Sequence, residues 1–411
     1  MNDRGTVGAP ARRQGGLLTA LVVDGIGTGL FLPFAVLYFL HTTTIPLAVV
    51  GGALGAAGLL ALPSPLLAGP LIDRFGPRAV AVFGNLLCAA AFTGYLFVDG
   101  PWTLVGAATG AAVGQAISWT SLMGLVAVLA APRERPHWFA VQSAARNAGY
   151  GVGGIAGAVA VSTGGRWAYP MLAAVNAASY LVAALLVTRA KNQTTTAPAE
   201  RDPASRRIGY RDVVRSRGLM VLVAANFLLV ICMNTLAVLA AVYLTVSLGQ
   251  PAWLGGGLFT LNTILVLLTQ TAVTRRVSRY RGQRIVQAAA AAWFCAFVFL
   301  WLLAAAPNWL VLPGAVLAVL ACTLAEMLHA PTISALAVDT APTAEPGRYL
   351  AVYQLSWSIG SAVTPALLTW LLSRGPQWPW PVLIAISVAG ALVIDFVTPR
   401  ARTRLSPSRR T

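Results

Sequence analysis

Apolar runs of about 20 residues, parted by short polar loops, recur from Gly16 to Val397, and there are twelve of them. An α-helix rising 1.5 Å per residue needs about 20 residues to cross a bilayer core of ~30 Å. Within hydrocarbon each backbone N–H and C=O must find its partner inside the chain, which makes helices the expected form of these runs. Composition agrees: 57% of the residues are hydrophobic and 10% are charged, where a soluble domain carries roughly 25% charged residues. A water-dissolved monomer is excluded by that balance.

The expected spans are 16–40, 46–69, 79–98, 102–131, 138–163 and 168–188, then 218–247, 252–274, 285–305, 309–338, 349–372 and 379–398. Residues 189–217 form the longest polar stretch, and its TTTAPAERDPASRR is too polar to bury and too short for a domain. It reads as a cytoplasmic linker. The expected fold is an all-α membrane protein of twelve transmembrane helices in two pseudo-symmetric six-helix bundles, residues 1–188 and 218–411, the second ending in a short cytoplasmic tail.

Charge sets the orientation. When loops are assigned alternately to two faces, 26 of the 29 basic residues fall on one, leaving Arg166 and Arg374 opposite and Arg146 within a span. Positive loops stay in the cytoplasm, so both termini are expected there. The same distribution explains the net charge of +17 without nucleic acid, since the arginines are spread over short loops and no DNA-binding module is visible. Lys191 is the only lysine, and with abundant Ala, Gly and Pro this points to a GC-rich bacterial genome and a bacterial cytoplasmic membrane. The basic segment MNDRGTVGAPARRQGG leads into a span without an A-x-A-like site and reads as an uncleaved signal anchor. Cys88, Cys232, Cys295 and Cys322 lie inside spans without C-x-x-C spacing, which argues against disulfides and a structural metal.

Two internal echoes support a duplicated architecture. APRERPHWFAVQ at 131–142 can be laid over APTAEPGRYLAVYQ at 341–354, and FGPR at 75–78 falls over YRGQR at 280–284.

The loop GPLIDRFGPRAV, Gly69 to Val80, places Gly69, Asp73, Arg74, Gly76 and Arg78 between two apolar runs. Glycine allows close helix approach at 69 and a positive φ at 76, Asp73 can accept hydrogen bonds or face a helix N-terminus, and the arginines can pair with carboxylates or lipid phosphates. The segment resembles the signature G-x-L-x-D-R-x-G-x-R of the major facilitator superfamily of twelve-helix secondary transporters. The resemblance implies that the loop is a cytoplasmic gate latch, with Asp73 engaging the start of helix 11. It also implies parallel repeats with the substrate site between the halves. In the second half Arg279 stands where the aspartate would be, so no symmetric latch is expected.

Ionisable residues at membrane depth cost at least ~2.5 to 3.5 kcal/mol each, which singles out the few present. Asp24, Arg146, Glu326 and His329 are the candidate proton-coupling set. A buried carboxyl such as Glu326 can take a proton from one side and release it to the other, and His329 at i+3 shares its helix face. AEMLHAP also resembles helix 10 of proton-coupled multidrug exporters in the superfamily. Asp24 and Arg146 either neutralise one another as a static pair or leave Asp24 as a second cation site. Asp339 and Asp395 sit at cytoplasmic span ends, where solvated or loop-pairing roles are expected.

Helix 5 carries Gly149, Gly153 and Gly157 four residues apart, a spacing that lets another helix pack closely. The family's antiporters normally have a Gly-Pro pair in this helix and an arginine in helix 4, and this chain has neither. Gln115, Trp119, Asn234, Gln354 and Trp357 are the candidate cavity lining, a mixture of aromatic and uncharged polar groups suited to an amphipathic organic molecule. No P-loop, metal cluster or nucleophile constellation is visible, so a proton gradient rather than a cofactor or ATP is the expected energy source, and no enzyme activity is expected. The resulting expectation is a monomeric, proton-coupled exporter of drug-like or secondary-metabolite molecules. Its alternatives are a nutrient symporter, a lipid flippase, or a sensor or scaffold that does not transport.

Overall fold

The computed structural model describes residues 15–163, 167–189, 209–236, 239, 243–250, 252–342 and 346–396. The N-terminal basic segment, most of the linker, Arg166 and the C-terminal tail lie outside these residues.

The described chain is almost entirely helical, as apolar sequence without free backbone partners requires. Helix α1 (Gly15–Phe31) passes through a 3₁₀ turn at Leu32–Phe34 into α2 (Ala35–Thr42). Pro33 lies within that turn and cannot donate a backbone hydrogen bond, so the expected first span is broken there. Helices α3 (Leu47–Leu60) and α4 (Ser64–Phe75) meet at a bend of 42° beside Pro63. Then come α5 (Pro77–Tyr95), α6 (Pro101–Leu129), α7 (Arg135–Thr163) and α8 (Ala168–Arg189). A short helix α9 (Tyr210–Arg215) precedes α10 (Arg217–Thr235), which is followed by a π-helical segment at Tyr243–Ser247. The chain continues through α11 (Ala252–Val277), α12 (Gly282–Leu302), α13 (Asn308–Thr340), α14 (Pro346–Arg374) and α15 (Pro379–Asp395).

Among the described residues, eight helices are long and apolar enough to cross a membrane, and the bent α3–α4 pair makes a ninth. Helices α7 and α11 fall outside that set, and α15 spans 17 residues. The polar groups of α7 (Gln142, Arg146, Asn147) and of α11 (Asn262, Gln270, Arg275, Arg276) lower their apolar content.

Packing follows one pattern twice. In the first half α1 packs on α7 and α8, α5 on α6 and α8, and α3 on α6. In the second, α10 packs on α14 and α15, α12 on α13 and α15, and α11 on α13. The α1–α7 seam is made by glycines: a Cβ on Gly149 would meet the Val22 carbonyl oxygen at 2.6 Å and Gly25 Cα at 2.8 Å, and one on Gly157 would meet the Leu30 carbonyl oxygen at 2.7 Å. Only residues without side chains let two helix backbones approach so closely.

The two ends of the bundle differ chemically. Exposed Trp102, Trp167, Trp309 and Trp378 mark one end, while the loops at Arg74–Arg78, Arg133–Arg135 and Arg275–Arg284 mark the other. Aromatic rings and arginines are both membrane-interface residues, and their separation gives the molecule an arginine-rich and an aromatic-rich face. The halves meet where α4 packs on α14, and α7 packs on α11 and α13. By contrast α3, beyond the bend toward the aromatic-rich face, packs on α6 of its own half.

Candidate functional site

At the arginine-rich face, the turn after α4 is held by Gly76, whose φ of 81° suits a residue without a Cβ. Asp73, in the last turn of α4, reaches the first turn of α14. Its carboxylate accepts the Gly347 backbone N–H at 2.7 Å and lies 3.6 Å from the Arg348 guanidinium. The first N–H groups of a helix have no partner within it and carry partial positive charge, so a carboxylate there is favoured. The approach depends on glycine, because a Cβ on Gly69 would come within 3.0 Å of Arg348 Cα. Arg78 turns elsewhere: it donates to the carbonyls of Val187 and Thr188 at the end of α8, where the expectation was a carboxylate or phosphate. Unsatisfied carbonyls at a helix C-terminus attract an arginine for the same dipole reason. Arg74 is exposed, with its guanidinium 5.1 Å from the Phe75 ring centroid. Arg279, at the corresponding place in the second half, lies over Tyr280.

Two further contacts join the halves at this face, one at Asp339, for which a solvated or loop-pairing role was expected, and one that was not anticipated. Arg135, at the start of α7, forms an ion pair with Asp339 near the end of α13. Tyr210 of α9 donates its hydroxyl to the Leu66 carbonyl on α4. The Ala-Pro pairs at 131–132 and 341–342 that prompted the repeat alignment lie beside Arg135 and Asp339 in sequence, but sequence did not name Arg135 as the partner.

Deeper in the bundle, Asp24 on α1 and Arg146 on α7 face one pocket with Gln115 and Trp119 of α6 and Tyr180 of α8. The Arg146 guanidinium stacks on Trp119 at 3.7 Å from the ring centroid. Asp24 accepts a long hydrogen bond of 3.4 Å from Thr28. Among the described residues the ion pairs within 4 Å are Arg135–Asp339 and Arg348–Asp73, so Asp24 and Arg146 share a pocket without a direct salt bridge. The static pair considered from sequence is absent, and the guanidinium instead lies against Trp119.

Glu326 lies half-buried on α13, where α7 and α11 approach that helix. It accepts a hydrogen bond of 3.2 Å from Asn262 of α11, whose amide also donates to Thr323 at 2.9 Å. Arg146, from the other half, is near enough to act on both Asp24 and Glu326 electrostatically. Asn262 escaped the sequence reading; a lone asparagine in an apolar run was its only signal.

His329 is not brought to Glu326. It is fully buried within the second half, 5.3 Å from the Trp293 ring and 5.9 Å from the Trp357 ring by centroids, and neither ring nitrogen has a hydrogen-bond partner among the described residues. Three residues along a helix leave two side chains about 60° apart around its axis, and here different helices pack against them, Asn262 of α11 meeting Glu326 and Trp293 of α12 meeting His329. Trp357 donates to the Tyr353 hydroxyl at 2.9 Å, and Asn234 donates to Ser361 at 3.3 Å, so both candidates bond within the second half. Gln354 is half-buried on α14.

Several comparisons with known proteins agree on the architecture. A stretch of 151 residues is 28% identical to Multidrug resistance protein MdtH of Edwardsiella ictaluri (strain 93-146), spanning 36% of this chain and 37% of that protein. The fold matches a bacterial homologue of the iron transporter ferroportin in an outward-facing state, with a TM-score of 0.75, 15% identity and coverage of 94% and 98% of the two chains. It matches the transporter FucP in an outward conformation with a TM-score of 0.73, 15% identity and coverage of 95% and 99%. The human organic anion transporter MFSD10 matches with a TM-score of 0.72, 16% identity and coverage of 94% and 99%. The family model described as Major Facilitator Superfamily matches residues 17–365, and the chain is a member of that superfamily, a multi-pass membrane transporter.

Proposed function

We propose that the chain is a proton-coupled exporter of amphipathic organic molecules, built of twelve transmembrane helices in two six-helix bundles and working by alternating access. The repeated packing of α1–α8 and α10–α15 supports the two-bundle reading, with α7, α11 and α15 crossing as spans alongside the more apolar helices. The arginine-rich face lies in the cytoplasm of a bacterial cell, by the positive-inside rule. In the conformation described, Asp73–Gly347, Arg135–Asp339 and Tyr210–Leu66 close that face.

One observation carries the reading: Glu326, a half-buried carboxyl hydrogen-bonded by Asn262, sits where α7 of one half meets α11 and α13 of the other. A group there changes its surroundings when the halves rock, as proton binding on one side and release on the other requires. One proton crossing 100 mV releases ~2.3 kcal/mol, which supports a substrate gradient of about 50-fold. The partial likeness to a multidrug resistance protein favours export of drug-like molecules.

The test is flux of ethidium, a hydrophobic cation, in proteoliposomes under an imposed pH gradient. Wild type should move it against its gradient, and Glu326→Gln should retain downhill exchange while losing the response to pH. Unchanged pH-driven flux in Glu326→Gln would remove the proton role from this residue.

A further inference from the structure

Building on the transport reading above, the charge class of the carried molecule follows from the pocket within the first half. That pocket holds one acid and one base, Asp24 and Arg146, with Gln115, Trp119, Leu122 and Tyr180 around them. No direct ion pair joins the two charges. Trp119 takes the face of the guanidinium at 3.7 Å, a contact that leaves the N–H donors at its edge available. Neither Arg146 nor Gln115 makes a side-chain hydrogen bond among the described residues, and Asp24 receives only the long bond from Thr28 and the nearby Tyr180 hydroxyl. The backbone contact of α1 with α7 through Gly25 and Gly149 fixes the helices that carry the two groups.

Two opposite charges held apart at membrane depth are each left partly uncompensated. A monocation on Asp24 would leave Arg146 without a partner among the residues lining the pocket, and a monoanion on Arg146 would leave Asp24 so. A molecule bearing both charges satisfies the pair at once and leaves the pocket's net charge unchanged. We propose that this pocket binds the head of a zwitterionic amphiphile, its cationic group on Asp24, its anionic group on Arg146 and Gln115, and its apolar part along Leu122.

The test uses three probes with alkyl tails of seven or eight carbons: N-octyl-N,N-dimethylglycine, octyltrimethylammonium and octanoate. Binding to the purified full-length protein is measured by calorimetry below the micellar concentrations. The zwitterion should bind at least tenfold tighter than either singly charged probe. Asp24→Asn should move the preference toward octanoate, and Arg146→Gln should move it toward octyltrimethylammonium, a reciprocal change that a purely structural role would not produce. Equal binding of zwitterion and cation to wild type, binding of none of the probes, or folded variants that keep the wild-type order would overturn the proposal. Proton-driven ethidium flux is scored separately, so intact flux without the head-group order rejects this inference alone, and the head-group order without flux rejects the transport reading alone.

Discussion

The carboxylate of Asp73 accepts the backbone N–H of Gly347 at 2.7 Å across 274 residues of sequence, closing the arginine-rich face with the end of α4 against the start of α14. The contact leaves no room for a side chain at 347, where a Cβ would fall 2.6 Å from the Asp73 Oδ1. It joins an anion to the positive end of a helix dipole.

Asp73→Ala should therefore favour the state open at the arginine-rich face. Hydrogen bonds to charged groups contribute about 1.5 to 3 kcal/mol, equivalent to a shift of roughly tenfold to a hundredfold in the equilibrium. Ala351, fully buried beside Gly69, provides the reporter. A cysteine placed at 351 should react with a maleimide from that face at least tenfold faster in the Asp73→Ala background.

The Arg135–Asp339 pair should matter less. Asp339 is 41% exposed, and ion pairs with that much solvent access contribute about 0 to 1 kcal/mol. Arg135→Gln should raise the same labelling rate by less than fivefold. An effect as large as that of Asp73→Ala would reverse this ranking.

Tyr210 ties the short helix α9 to α4 through one neutral hydrogen bond, for which about 1 kcal/mol is typical. Tyr210→Phe should raise labelling at position 351 roughly fivefold. Burial pushes the Tyr210 hydroxyl up to about 12, with the Arg348 charge opposing and the Asp73 charge adding to the rise. A group raised from the ordinary value of 10 contributes fully below 10 and loses its contribution as pH climbs through 12. The difference between Tyr210→Phe and wild type should thus stay constant from pH 7 to about 9.5, measured at each pH by the same labelling.

The glycine seam between α1 and α7 predicts a contrast within one helix. Gly149→Leu forces a side chain into the α1 backbone and should lower stability by at least ~1 to 3 kcal/mol. Gly151 has nothing within 4 Å of an added Cβ, so Gly151→Ala should be neutral or stabilise by up to ~1 kcal/mol through helix propensity. Thermal unfolding in detergent distinguishes the two.

The sequence by itself determined which stretches become helical but not every break, since the expected spans 16–40 and 46–69 divide at Leu32–Phe34 and Pro63 and helix continues past Gly69 to Phe75. Long apolar runs have no alternative in a bilayer, and the proline and glycine positions account for the break after α1, the bend at Pro63 and the turn at Gly76. Periodicity also marked the glycines of α7, because a four-residue spacing keeps them on one face. What it could not supply was the identity of the helix across from each face. Asp24 and Arg146 looked like partners, yet Trp119 of a third helix lies against the guanidinium. His329 looked like a companion of Glu326, yet it turns into the core beside Trp293 while Glu326 meets Asn262. Arg78 belonged to a recognisable loop, yet its hydrogen bonds go to α8. Those choices depend on how helices distant in sequence pack together, and a one-dimensional period fixes only the direction a side chain takes from its own helix axis.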